Sequence, residues 1–176
     1  AAWNEATRLS SGRYITNANL DDSRHPDSIA RFRNFLDAHP EIDVVFSDVY
    51  YSFLPHIPWE EVSAVGLRTE HAPPTRHSML DYNAPHCAPM WRRSLHDRCG
   101  VFDETYRSAG DWEFWLRCIR NGVTMHKIEP PLVAYFHNPR GMSTQSDTPS
   151  AREEAAIRRA YRDLLIGPDA PLDPLD

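Results

Sequence analysis

The chain reads as an α/β domain, and three observations predict it. Helical and strand patterns alternate from the N-terminus, which is the order of a sheet flanked by helices. The clearest strand candidate, "IDVVFSDVYY", is short and β-branched, as a buried strand is. The length of 176 residues is that of one domain with a real core.

The elements follow in order. Residues 2–10 predict a short helix stopped by Gly12, and "RYITNAN" a strand. In "HPDSIARFRNFLDAHP", Ile29, Phe32, Phe35 and Leu36 form one helical stripe, with Pro26 suited to the first turn and Pro40 ending it. "IDVVFSDVYY" is the next strand. Prolines punctuate residues 54–90, which read as a long loop region with short elements. "MWRRSLHDRCGVFDE" reads as a strand end, a short helix and a turn. "GDWEFWLRCIRNG" is a helix with Trp112, Trp115, Leu116 and Ile119 on one face and Gly122 as its stop. "VTMHKIEPPLVAYFH" predicts two strands broken by Pro130 and Pro131, and "SAREEAAIRRAYRDLL" a final amphipathic helix. The Asp/Pro tail after Gly167 predicts disorder.

Bulk properties narrow the function. A net charge of −6 and a pI near 5.8 argue against a general nucleic-acid binder, which needs a basic face, and leave room for a local basic pocket holding a small phosphate ligand. No run approaches the roughly 20 apolar residues that span a bilayer, and no signal peptide is visible. Three widely spaced cysteines, an odd number, point to a reducing compartment and a cytoplasmic location. The first residue is not Met and the chain opens inside an apparent helix, so a piece of something longer is expected.

Four stretches carry candidate chemistry. In "YITNANLDDSRHP" a strand ends on Asn19, Asp21 and Asp22. Ligands of α/β sheets sit at strand carboxyl ends, and oxygen donors on a turn suit a hard ion such as Mn²⁺ or Mg²⁺ bridging to a diphosphate. The ion would also offset the repulsion of adjacent carboxylates; the plainer reading has Asp22 or Ser23 capping the following helix. Asp111, after Gly110 and opening a helix, is a candidate general base or an N-cap. Trp112 and Trp115 read as core, and Arg117 as an i,i+4 partner of Glu113. Trp91, Arg92 and Arg93 have the types that stack on a sugar and hold a phosphate, against a buried Trp beside solvated arginines. His137, beside Arg140 and Ser143, is the fourth candidate, for a metal or diphosphate. Two rivals fare poorly. His86, Cys87, His96 and Cys99 lack the paired arms of a zinc site. "VVFSDVYYS" has Tyr50 where an aspartyl-phosphate loop of the haloacid-dehalogenase type needs its second Asp.

Taken together the segments resemble family 2 glycosyltransferases of the GT-A fold. "GRYITNANLDDSRHPDSI" resembles the strand ending in the family's D-x-D motif and the Pro-started helix. "DVVFSDV" resembles the next strand, "APMWRRSLHDRCGVFDETYRSAGDWEFWLR" the acceptor-side segment with the base, and "IEPPLVAYFHNPRGMS" the closing strand with its His/Ser loop. The resemblance covers residues 1–145 as a partial GT-A domain, with 146–166 as a C-terminal helix and 167–176 as the tail. It implies a Rossmann-like mixed sheet whose N-terminal nucleotide-binding half is absent from this chain. It also implies inverting transfer from a nucleotide-sugar donor to a glycan, lipid-linked or protein acceptor, as in cell-surface polysaccharide biosynthesis. Asn19 and Asp21 take the ends of the D-x-D motif and Asp22 the adjoining acid. Asn19, Asp21, Asp22 and Arg92 become donor-binding, Asp21, Asn19 and His137 metal ligands, and Asp111 the base. Asn19 and Gly110 depart from the pattern, each replacing an acid. Two other functions stay open, a carbohydrate-binding module without activity and a metal-dependent hydrolase.

Overall fold

The computed structural model describes residues 2–142, 144, 145 and 148–175. Its elements are α1 (Ala2–Leu9), β1 (Tyr14–Thr16), β2 (Ser23–Arg24), α2 (Ser28–Ala38), β3 (Val44–Ser52), α3 (Trp59–Val65), β4 (Met90–Arg92), α4 (Leu95–Cys99), α5 (Gly110–Arg120), β5 (Met125–Phe136) and α6 (Pro149–Ala160). The strands form one five-stranded mixed sheet in the order β1-β4-β3-β5-β2. The central pair, β3 and β5, is parallel; the other three pairings are antiparallel.

β3 carries the core because both its faces are covered, which is why its sequence is apolar without alternation. Val44 and Phe46 face α5 and α6, where they meet Trp91, Trp115 and Leu116. Val45 points the other way, onto Phe32 and Leu36 of α2. Helices on both sides of the sheet thus follow from two apolar stripes, one on α2 and one on α5. α5 ends where Gly122 takes a left-handed φ of 71°, a conformation free of steric cost for glycine.

Three features depart from expectation. β5 is one strand across Pro130 and Pro131, not two. The prolines fall where its register with β3 shifts, between Ser47 and Val49, and the Leu132 N–H is satisfied there by Ser47 Oγ at 3.1 Å. β2, only two residues long, escapes any periodicity reading and pairs with β5 through Ser23 and Arg24. The tail is pinned to the domain by hydrogen bonds, although most of its described residues stay exposed. Met125 N donates to Leu172 O, Leu172 N to Pro74 O and Arg76 N to Ala170 O, while buried Asp173 meets His126 Nδ1. No described helix is long and apolar enough to cross a membrane.

Candidate active site

A cavity of about 360 Å³ opens between the end of β1, the end of β5 and the start of α5. Asn17, Asn19, Asn83, His86, Asp111 and Tyr135 contribute to its wall, with Trp3 and Glu154 at other points. Two of the residues singled out in the sequence, Asn19 and Asp111, therefore meet across one space, although 92 positions separate them along the chain.

Asp111 lies in the first turn of α5. Burial pushes its carboxyl above the ordinary value of 3.8, against the pull of the Asn83 amide and the backbone N–H groups of Trp112 and Asp111. Asn83 Nδ2 donates to Asp111 Oδ2 at 2.7 Å. The loop before α5 is fixed by Glu153 of α6, whose carboxylate accepts the N–H groups of Arg107, Ser108 and Ala109, each at 2.9 Å. Burial raises the Glu153 pKa and those three donors lower it; the net shift is downward. A glutamate from another helix thus fixes the segment just before α5, while the Asp111 carboxyl takes the Asp111 and Trp112 N–H groups of the first turn itself. Trp112 is core, as its type suggests, and spends its indole N–H on Met79 O at 2.7 Å.

The strand end is organised around Asp22. Its Oδ1 accepts the Phe136 N–H at 2.9 Å and its Oδ2 the Asn19 amide at 2.8 Å. Asp22 therefore ties the 17–22 turn to the end of β5 and caps no helix; α2 begins at Ser28 with Asp27 before it. Burial again pushes the Asp22 carboxyl up. Asp21 is exposed on the turn, and neither a hydrogen bond nor an ion pair engages it among the described residues. Two amide oxygens of the cavity wall, Asn17 Oδ1 and Asn83 Oδ1, are buried without a hydrogen-bond partner in the protein. Each such group costs about 1–3 kcal/mol unless something else satisfies it.

Sequence reasoning missed His86 as a cavity residue. Its backbone sits at φ 42°, in the left-handed region that a non-glycine residue enters at a cost. Burial, with a smaller contribution from His71, lowers its pKa to about 4, so the ring is neutral at pH 7. Asn17 and Asn83 were also missed. They follow a strand and a Pro-rich loop, and only the fold shows where those segments end.

Other expected site residues lie elsewhere. Arg92 turns to the end of α2, donating to Ile42 O at 2.9 Å, Leu36 O at 2.7 Å and His39 O at 2.9 Å. It caps a helix C-terminus and does not reach the cavity. Trp91 is buried and bonded to His96 Nε2 at 3.1 Å, the plainer of its two readings. His137 follows Phe136 beyond the cavity wall, with its ring 5.7 Å from that of Phe53. Arg140 is exposed, and Ser143 lies outside the described residues. Asp48 of "VVFSDVYYS" is buried against Lys127 Nζ at 2.6 Å.

For a divalent cation the donor chemistry fits. Asn19 and unengaged Asp21 offer hard oxygens on one turn, with Asp22 beside them and the unsatisfied Asn17 Oδ1 in the same wall. No three His, Cys, Asp or Glu side chains form a metal cluster among the described residues.

No family model matches the chain. It is 26% identical over 143 residues to a PGL/p-HBAD biosynthesis glycosyltransferase of Mycobacterium tuberculosis, covering 81% of this chain and 52% of that one. It is 23% identical over 140 residues to an uncharacterized glycosyltransferase of Methanocaldococcus jannaschii, covering 77% and 46%. The chain thus spans about half the length of these curated relatives. Among solved structures, S. aureus TarS residues 1–349 superimposes with a TM-score of 0.58 at 17% identity, over 92% of this chain and 49% of that one. The mixed α/β fold is one it shares with TarS, and its sequence relatives support a glycosyltransferase family.

Proposed function

We propose that the chain forms the acceptor and metal side of an inverting glycosyltransferase of the GT-A, family 2 type, acting on a nucleotide-sugar donor. One observation carries the reading: Asp111, raised in pKa by burial, shares a cavity with the strand-end residues Asn17 and Asn19. A base needs this combination of a raised pKa, one orienting partner and open space beside it.

Asp111 takes the proton of the acceptor hydroxyl. The hydroxyl oxygen forms its bond to the anomeric carbon from the side opposite the nucleoside diphosphate, whose bond to that carbon breaks with its electron pair. The anomeric configuration inverts. Asn83 holds the carboxylate in position through Nδ2. Asn19 and Asp21, with Asp22 as a further candidate, would hold the cation; His137, outside the cavity wall, drops out of the set. Mn²⁺ or Mg²⁺ would act there as a Lewis acid toward the departing diphosphate.

The test is release of nucleoside diphosphate from a panel of nucleotide-sugars, with and without glycan acceptors, by the full-length protein and its Asp111→Asn variant. Acceptor-stimulated, metal-dependent release that Asp111→Asn abolishes is expected. Release by water alone, undiminished by added sugar, would instead indicate a hydrolase. Sugar binding with no release and no metal requirement would indicate a binding module. A metal titration of Asp21→Asn belongs to the same experiment; an unchanged metal requirement would remove Asp21 from the ligand set.

A further inference from the structure

The inner side of α6 is used by the fold. Ile157 and Tyr161, with Leu164 just beyond, belong to the core that holds Trp112, Trp115 and Leu116. Arg158 turns inward as well, its guanidinium 4.7 Å over the Trp112 ring and donating to Leu80 O at 3.0 Å. The acids of the segment are engaged. Glu153 accepts the N–H groups of Arg107, Ser108 and Ala109, Glu154 pairs with Arg158 at 3.3 Å, and Asp163 pairs with Arg120.

The outer side is different. Arg152, Arg159 and Arg162 are exposed, and no hydrogen bond, ion pair or ring contact engages their side chains among the described residues. Arg152 and Arg159 are two helical turns apart and so lie on one side, opposite the buried stripe of Ile157 and Tyr161. Arg162 opens the short helical turn Arg162–Leu165 that follows, and Leu165 and Ile166 are 54% and 73% exposed. In a chain of net charge −6, the free charge on this face is positive, so it decides which side of the protein turns toward an anionic surface. The face is convex and its charges are strung along about 10 Å between Arg152 and Arg159 alone, whereas sites for a small anion are concave. A nucleic acid would take the arginines and leave Leu165 and Ile166 facing phosphates. An anionic bilayer takes both, because arginines lie at headgroup level with their stems along the boundary and aliphatic side chains pass below it.

We infer that the outer face of α6, continued through Ile166, is a docking surface for an anionic lipid bilayer, with Arg152, Arg159 and Arg162 among the headgroups and Leu165 and Ile166 entering the acyl boundary. The helix lies on the surface and does not span it, since its other side is spent on the core. Ser150 and Glu154, on the same helix, line the cavity of Asp111, so docking brings that cavity alongside the lipid. The inference does not rest on the transferase reading.

Vesicle flotation of the full-length protein, with neither donor nor acceptor present, tests this. The vesicles are phosphatidylcholine alone, or phosphatidylcholine with phosphatidylglycerol in a two-to-one ratio. The wild type is expected to float with the anionic vesicles and not with the neutral ones, and less so as salt rises. Arg152→Gln/Arg159→Gln/Arg162→Gln should weaken binding about 10²-fold, at about fivefold for each arginine near an anionic surface. Leu165→Ser/Ile166→Ser should weaken it about tenfold and remove the part that survives high salt. Arg31→Gln/Arg33→Gln/Arg93→Gln neutralises exposed arginines elsewhere and should leave binding within about threefold of the wild type. All the changed side chains are exposed, so every variant should melt as the wild type does. The inference is overturned if the wild type floats with neither vesicle, if either α6 variant floats as the wild type does, or if the control variant falls as far as the α6 arginine variant. Binding to soluble polyglutamate as tight as that to anionic vesicles also overturns it, and assigns the face to an acidic protein partner.

Discussion

Asp111 and Glu113 are two residues apart in the first turn of α5, and their surroundings differ in kind. Glu113 is buried in the seam between α5 and α6, where Arg117 donates to both of its oxygens, at 3.0 and 2.9 Å, and the Tyr161 hydroxyl donates to Oε1. Asp111 faces a cavity, and its only side-chain partner among the described residues is the Asn83 amide, beside the backbone N–H groups of its own turn. Both carboxylates sit near the positive end of the same helix dipole, so the helix does not distinguish them. Their partners do. A carboxylate with its oxygens filled by the protein serves the fold; one left partly unfilled beside open space is available for chemistry.

The comparison breaks most sharply at Asp111 itself. Asp111→Asn should lower transfer by about 10²–10⁴-fold, the usual contribution of a general base, with stability unchanged or raised by about 1 kcal/mol. The sign follows from the raised pKa. The folded state holds this proton more tightly than the unfolded state, so wild-type stability falls, relative to the variant, as pH rises from 3.8 through the raised value. The acidic limb of the rate should correspondingly lie above the ordinary carboxylate range. Thermal melts at several pH values and a pH–rate profile check both statements.

Glu113→Ala should do the reverse. It leaves Arg117 largely buried without its partner and is expected to cost about 3–5 kcal/mol, read by urea unfolding. A variant that stayed stable but lost transfer would erase the distinction between the two carboxylates. Arg92→Ala is the next step down. Losing two helix-end carbonyl contacts and one to Ile42 O just beyond should cost about 2–3 kcal/mol with transfer per folded molecule unchanged, since Arg92 serves the end of α2 and not the cavity. Loss of donor binding in a folded Arg92→Ala protein would return it to the site. The smallest effect is expected at Glu153→Gln, about 1 kcal/mol by the same unfolding assay. Because the Glu153 pKa is lowered, its stabilisation is complete above 4.5 and fades as pH falls through the depressed value; the glutamine variant should lack that acid dependence.

The fold was legible where its signals are local. The stripe of Ile29, Phe32, Phe35 and Leu36 and the tryptophan face of α5 are periodic over a few residues, and both became helices on opposite sides of the sheet. β2 has no such signal, because two residues have no period. The tail has a disordered composition, and only its pairing with β5 and the 74–76 segment orders it. Asn19 and Asp111 were legible because residue type and position at an element's end suggest a role. Arg92 has the right type but points the wrong way, which a sequence does not encode locally. Asn83 and His86 come from the long Pro-rich loop, whose path is set by packing far away in the chain.

The grip of Glu153 on three consecutive amides has a consequence that needs no substrate to observe. Arg107, Ser108 and Ala109 donate to one carboxylate from a neighbouring helix, so their protons become free to exchange with solvent together when that carboxylate withdraws. Exchange at these amides is therefore a clock for the docking of α6 against the loop that leads into Asp111. It reads out how long Asp111 stays in place.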